Sequence, residues 1–409
     1  MMNNFTLSFH FFVKYLLLSS LVGLLAGSAC AGFLISLAQV TDWQMTTPWL
    51  LFLLPLGGVL VGYVYKAYGA NSAKGNNLIL ESIGEGEEAI PLRMSFLVWF
   101  ATLVTHLFGG SAGREGTAVQ IGGSIAEGIG KVFKVNKNDR RILLMCGISA
   151  GFGAVFGTPL AGTIFALEIT MIGIITYQAL LPCLIASLTG HFTVIYLWGV
   201  GHIHYNLGAI PTVSGLVLMK VCVAAIIFGL TAMVFSKLLH KVKHLLASYF
   251  QHYMWRSLIG GALIIALASI LGTRNYLGLS LPLLSQAFET DINPFSFVWK
   301  MLFTIITLGS GFQGGEVTPL FVIGATLGHT LSILLQISAP FLAGLGFVAV
   351  FGAATNTPLA CIFMGIELFG GEGVIYIFIA CVVSYLFSGH QGIYSSQQVG
   401  FYKHGIRKS

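Results

Sequence analysis

Charge is what this chain has least of. Of its 409 residues only 8% are Asp, Glu, Lys or Arg, against 56% apolar, and the mean hydropathy is +0.87. A soluble globular domain carries about a quarter of its residues as charges, so that class is excluded. Cysteine is sparse as well. Cys30, Cys146, Cys183, Cys222, Cys361 and Cys381 lie scattered in apolar segments, without metal-ligand or disulfide spacing, and read as small buried hydrophobes. No H-E-x-x-H occurs and no Ser/His pairing stands out, so an intramembrane enzyme lacks its nucleophile–base pair or its metal motif. The expectation is no enzyme, no metal and no cofactor. The polar stretch with Glu85, Glu87 and Glu88 reads as a solvated loop rather than a metal site. Nor is the net charge of +6 a nucleic-acid footprint, because Lys and Arg sit scattered at segment ends.

Long runs without charge are abundant: 15–41, 43–65, 142–167, 169–219 and 317–366. About 20 apolar residues span a bilayer as a helix, so 169–219 and 317–366 each hold at least two passes. The pattern predicts an all-α, polytopic membrane protein of about ten or more helical segments. The run 15–41 lacks a small-residue cleavage site with a polar mature start and reads as the first membrane helix, not a signal peptide. Basic clusters at 131–141 (Lys131, Lys134, Lys137, Arg140, Arg141), at Lys237, Lys241 and Lys243, and at Lys403, Arg407 and Lys408 mark cytoplasmic segments by the positive-inside rule. Residues 201–213, with no Lys or Arg, fall outside.

The chain repeats itself. Residues 152–168 read FGAVFGTPLAGTIFALE and residues 351–367 read FGAATNTPLACIFMGIE. Upstream of each, Gly113-Arg114-Glu115-Gly116-Thr117 aligns with Gly314-Gly315-Glu316-Val317-Thr318. Each half therefore runs glycine-rich turn with a glutamate, then a helix, then a Thr-Pro-Leu-Ala helix start that ends in Glu168 or Glu367. Duplicated membrane units of this kind place their substrate near the bilayer midplane, between the halves, with broken helices. Whether the halves are inverted turns on the parity of their crossings, which the sequence leaves open.

The turns carry the chemistry. Glycines at 109, 110 and 113 admit a ligand close to the backbone, and the helix expected over 116–130 points its free N–H groups and positive dipole end at the turn. Such an end is an anion site. The same holds at 314–316, where Pro319 suits a first helical turn. A third candidate is Lys74-Gly75-Asn76-Asn77 before Leu78-Ile79-Leu80, since Asn caps helices and offers NH₂ donors. An ionisable side chain at membrane depth is a functional-site hypothesis by default, and Glu115 is the foremost here. Deprotonated, it would occupy the anion position; protonated, it would swing away and admit the anion. The alternative is a structural acid, salt-bridged to Arg114 or capping its helix. Glu316 reads equally as a cap or as a functional partner of Glu115. Glu168 and Glu367 read as structural acids bonded to buried backbone or a neighbouring helix. His106 and His329, beside the turns, read as satisfied structural donors. Tyr394, after the polar break 388–392, is either a hydroxyl donor to an anion or an interfacial tyrosine.

These motifs, in this order over residues 15–400, resemble the CLC family of chloride channels and proton-coupled anion antiporters. In chloride-type members proline ends the first turn, where this chain has Thr117. Their second turn has a phenylalanine and no acid, where this chain reads Gly315-Glu316-Val317-Thr318-Pro319. Their serine before Ile-Pro is replaced by Gly75-Asn76-Asn77-Leu78. These departures resemble the fluoride/proton antiporter branch, which also lacks the C-terminal CBS pair. The resemblance implies a duplicated, inverted repeat with re-entrant helices. It implies a transport domain over 15–400, with halves at about 15–200 and 214–400 and short tails at 1–14 and 401–409. It implies a homodimer in a bacterial inner membrane that exports fluoride in exchange for protons and confers fluoride resistance. A chloride/proton antiporter or passive chloride channel of the same fold is the alternative. Glu115 would gate and carry the proton. Asn76, or Gly75 or Asn77 by a one-residue shift, would take the serine's place. Gly113, Gly116, Gly315, Glu316, Val317 and Thr318 would line the anion path, and Tyr394 would close its central site. An internal proton-transfer glutamate is expected directly after the position of Glu168, where this chain has Ile169, so Glu316 becomes the candidate for the proton's onward route.

Overall fold

A chain this apolar must satisfy its own peptide groups, and helices do so within a single segment. The computed structural model describes residues 4–84, 88–403 and 405. Glu85, Glu87, Arg407 and Lys408 therefore lie outside the described residues. The first half comprises α1 (Asn4–Thr46), α2 (Leu54–Val64), α3 (Asn76–Gly84), α4 (Arg93–Leu107), α5 (Glu115–Val132), α6 (Lys137–Phe156), α7 (Pro159–Glu168) and α8 (Leu180–Phe192). The second comprises α9 (Gly215–Tyr249), α10 (Tyr253–Leu271), α11 (Leu281–Glu289), α12 (Ser296–Gly309), α13 (Val317–Leu335), α14 (Ala339–Thr355), α15 (Pro358–Phe369) and α16 (Val374–Phe387). Two short strands, β1 (Met171–Ile172) and β2 (Gln398–Val399), pair in parallel and fasten the segment after α7 to the C-terminal stretch. Six helical stretches among the described residues are long and apolar enough to cross a bilayer. One difference from the sequence reading is the N-terminus. The segment 1–14 was expected as a tail, yet α1 already begins at Asn4. Nothing there breaks the helix, and Lys14 and Tyr15 are tied to Asp139 at the start of α6.

The two halves match element by element. In each, the helix that follows the glycine turn packs closely on the next one. A side chain on Gly122 would strike Gly147 O at 2.0 Å, and one on Gly324 would strike Gly346 O at 2.1 Å. Small residues at such crossings let membrane helices approach and gain dispersion contacts.

The acids that end the repeats cross over to cap each other's helices. Glu168 accepts from the backbone N–H groups of Leu359 (3.1 Å) and Ala360 (2.9 Å) at the start of α15. Glu367 accepts from Leu160 (2.8 Å) and Ala161 (2.8 Å) at the start of α7. Exchanging the halves exchanges the two caps, so they define a local twofold relation. Each proline at a helix start leaves neighbouring N–H groups without an intrahelical partner, and the opposite half's carboxylate supplies the acceptor. The basic segment at 131–141 is tied down too: Arg140 Nε lies 2.7 Å from Glu127 and Lys131 Nζ 3.4 Å from it. All six cysteines are free thiols, five of them buried.

Glu168→Ala should therefore lower the unfolding midpoint in detergent, by a loss of about 2 kcal/mol for two charge-assisted caps. Glu168→Gln, which keeps one good acceptor, should lose about half as much. Denaturant titration followed by tryptophan fluorescence measures both.

Candidate functional site

The two glycine turns meet. Gly113 N–H donates to Gly315 O at 2.6 Å and Gly315 N–H donates to Gly113 O at 2.7 Å, an antiparallel bridge between the equivalent turns of the two halves. The approach requires glycine. A side chain on Gly113 would stand 2.9 Å from Glu115 Oε2, and one on Gly315 would stand 2.8 Å from Gly116 N. His106 buttresses the first turn, with Nδ1 2.8 Å from Thr102 O and Nε2 3.2 Å from Ala112 O, and His329 contacts Ala287 O. Both are structural ties, as their sequence context suggested.

The bridge aims the first half's acid at the second half's helix. Glu115 is buried. Its Oε1 lies 2.6 Å from Thr318 Oγ1, and its Oε2 lies 2.7 Å from the same hydroxyl and 3.0 Å from Thr318 N. Arg114 adds its backbone N–H at 3.1 Å and its guanidinium at 3.6 Å. A carboxylate thus sits at the N-terminus of α13, where free N–H groups and the helix dipole favour an anion.

Equivalent positions do not behave equivalently. Thr117 corresponds to Thr318 in the repeat, yet its hydroxyl bonds Thr102 Oγ1 at 2.7 Å. Glu316, the counterpart of Glu115, is left with Oε2 buried and without a hydrogen-bond partner. It faces the start of α5: a side chain on Gly116 would stand 3.7 Å from that oxygen and 3.0 Å from Asn76 Nδ2.

Two cavities flank the joined turns. The smaller, of about 40 Å³, is lined by Arg114, Glu115 and Thr318 together with His202, Tyr205 and Phe321. The larger, of about 250 Å³, is lined by Asn76, Gln120, Glu316 and Tyr394 and reaches His240 and Lys243 in the basic segment. The turns form the wall between them. A buried acid held at a helix N-terminus, flanked by cavities and built from two halves, is the arrangement of an ion pathway. The family model for the voltage gated chloride channel matches residues 57–389.

The chain belongs to the CLC family.

A chloride/fluoride channel protein of Pseudomonas syringae pv. tomato is 47% identical over 400 residues, covering 96% of this chain and 88% of the relative. The H(+)/Cl(-) exchange transporter ClcA of Yersinia pestis is 26% identical over 424 residues, covering 93% and 86%. The crystal structure of a CLC-type fluoride/proton antiporter superposes with a TM-score of 0.92 at 36% identity, covering 98% of this chain and 100% of that one. That of a slow cyanobacterial Cl-/H+ antiporter gives 0.79 at 23%, covering 93% and 96%. The protein is a multi-pass membrane protein of this transporter and channel family.

Within that CLC frame, the residues singled out by sequence converge. Gly113, Glu115, Gly116, Gly315, Glu316, Val317 and Thr318 form the joined turns and the first turns of α5 and α13. Gly75, Asn76, Asn77 and Tyr394 line the larger cavity. Among the three at 75–77, Asn77 spends its Oδ1 on Ser396 N at 3.1 Å, whereas Asn76 faces Gly116 with Oδ1 unpartnered. Val317 is buried in the first turn of α13. Tyr394 lies within electrostatic reach of both Glu115 and Glu316. Sequence reasoning did not mark Gln120, whose Oε1 is buried and unpartnered beside Gly75. It also missed Gln397, which donates to Ile169 O and Thr355 O at 3.0 Å each and so joins the halves. An amide in an apolar helix was the available signal for Gln120; nothing local announces Gln397.

A side chain at Gly315 meets backbone rather than a flexible neighbour, so the turns must separate to admit it. Gly315→Ala should reduce anion flux in liposomes by more than about tenfold, as displaced active groups do, while the protein still elutes from size exclusion as the wild type does.

Proposed function

We propose that this protein is a proton-coupled fluoride antiporter that exports fluoride from the cytoplasm in exchange for protons and confers fluoride resistance. The observation that carries this reading is the buried Glu115 carboxylate in an anion's place, on the hydroxyl and N–H of Thr318, beside a cavity. As a carboxylate it blocks the passage and takes the donors that an anion would need. On protonation its charge-assisted hydrogen bonds, about twice as strong as neutral ones, are lost. The side chain leaves, and an anion takes the same donors. One position is shared by the acid and its rival, so proton and anion movements are coupled.

Fluoride holds water tightly, and removing that water demands strong donors at close range. Thr318 offers an N–H and an O–H, Asn76 an amide NH₂ and Tyr394 a phenol O–H. Glu316, in its neutral form, would add a fifth donor through the oxygen that has no partner. The same acid offers the proton a route onward from Glu115, since Ile169 supplies none. Its cavity leads to His240 and Lys243, on the side that the basic segments assign to the cytoplasm. Fluoride is the anion of a weak acid that enters cells as neutral HF and is trapped inside, so export driven by inward protons suits a bacterial inner membrane. The CLC resemblance supports a homodimer with one pathway in each subunit. The printed names of the relatives, a chloride/fluoride channel protein and a fluoride/proton antiporter, favour fluoride as well.

Liposomes containing the protein should accumulate fluoride against its gradient when a pH gradient is imposed. Glu115→Gln should bring proton flux down to that of empty liposomes. Wild-type proton movement in that variant would remove Glu115 from its role, and faster chloride than fluoride turnover would replace fluoride with chloride as the substrate.

A further inference from the structure

Lys300 takes no part in the scheme above, yet a buried lysine at membrane depth is expensive. It is wholly buried in α12, and it pairs with no carboxylate among the described residues. Its Nζ lies 2.8 Å from Gly278 O, 3.3 Å from Tyr276 O, 2.9 Å from Ser280 Oγ and 2.9 Å from Ser111 Oγ. The Ser280 hydroxyl gives its own hydrogen to Leu277 O at 3.1 Å, so toward Lys300 it accepts. Two carbonyls and that hydroxyl are three acceptors, and only the protonated amine has three N–H bonds to meet them. Ser280 holds a φ of 57° to present its oxygen, a left-handed conformation uncommon for residues other than glycine.

The cage reaches the gate through Ser111. Thr304 and Thr307 lie four and seven residues after Lys300, on the same face of α12. Thr304 Oγ1 meets Ser111 Oγ at 3.0 Å, and Thr307 Oγ1 accepts from Ser111 N at 3.1 Å. One polar stripe on the second half's helix therefore grips the first half's turn, four residues ahead of Glu115. A lysine held at membrane depth without a counter-charge marks function rather than stability.

We propose that Lys300 is a positioning residue of the anion path. It fixes the first turn through Ser111, and its ammonium keeps a positive charge behind the place where the Glu115 carboxylate and the transported anion alternate. This rests on the reading that the two share that place. In a low-dielectric setting a fixed cation favours any anion arriving nearby.

Two substitutions separate charge from grip. Lys300→Gln retains donors and removes the charge; Ser111→Ala retains the charge and cuts the link. Lys300→Gln should raise the KM for the transported anion about tenfold, with elution from size exclusion unchanged. Ser111→Ala should lower turnover with KM within about twofold of wild type. A wild-type KM in Lys300→Gln overturns the proposal. So does a KM raised equally by both variants, which would make the lysine a strut. Should Lys300→Gln not be recovered from membranes, Lys300→Arg decides: with the charge retained the KM must be retained, and a raised KM overturns the proposal. Each arm is run with fluoride and with chloride and scored on whichever the wild type moves faster, so failure of the fluoride reading leaves this test standing.

Discussion

Two hydrogen bonds, Gly113 N–H to Gly315 O and the reverse, hold together everything that matters at the centre of this protein. Neither half can build the site alone. Each turn breaks a helix at membrane depth, where irregular backbone is tolerated only if its polar groups find partners. Each turn finds them in the other. The glycines are fixed by that need, because any side chain there would strike backbone or the Glu115 carboxyl. Once the bridge forms, the starts of α5 and α13 face the same small volume, and two helix dipoles converge without a ligand's help.

The carboxylates obey one rule. Glu168 caps α15, Glu367 caps α7 and Glu115 caps α13, in every case a helix of the opposite half. A helix N-terminus that accepts a carboxylate accepts other anions of suitable size. What separates Glu115 from the two purely structural acids is its surroundings. A cavity borders it, which leaves room for the exchange proposed above, whereas Glu168 and Glu367 are held in the packing of α7 against α15. The same interaction thus serves as a staple at two positions and, in the proposed mechanism, as an exchangeable contact at the third.

Most of this was legible because duplication writes a pattern twice. The match of 152–168 with 351–367 exposed both helix starts and both terminal acids, and the alignment of Glu115 with Glu316 exposed the turns. Partners across the halves were not legible, since no local signal says that Glu168 reaches Leu359 rather than a residue of its own half. Nor could sequence choose among Gly75, Asn76 and Asn77, because what each position meets is set only on folding. Lys300 was overlooked for another reason. It is a lone charge between apolar stretches, but it has no counterpart in a recognisable motif. The rule that an ion at membrane depth is costly applies to it with equal force.

The repeat also shows where symmetry was given up. Thr318 and Thr117 occupy equivalent positions, yet the first bonds Glu115 and the second bonds Thr102. That one change of partner settles one acid on a helix terminus and leaves the other with a bare oxygen toward the larger cavity. A symmetric site would hold both acids in the same state and give an ion no direction. With both oxygens of Glu115 bonded and Oε2 of Glu316 without a partner, the two carboxyls differ in how firmly each keeps its place and in which cavity each meets. On the proposed reading, a proton arriving at Glu115 would release a held group, whereas one at Glu316 would create a donor on its unpartnered oxygen. The asymmetry that Thr117 introduces is therefore what would give the proposed pathway two unlike ends.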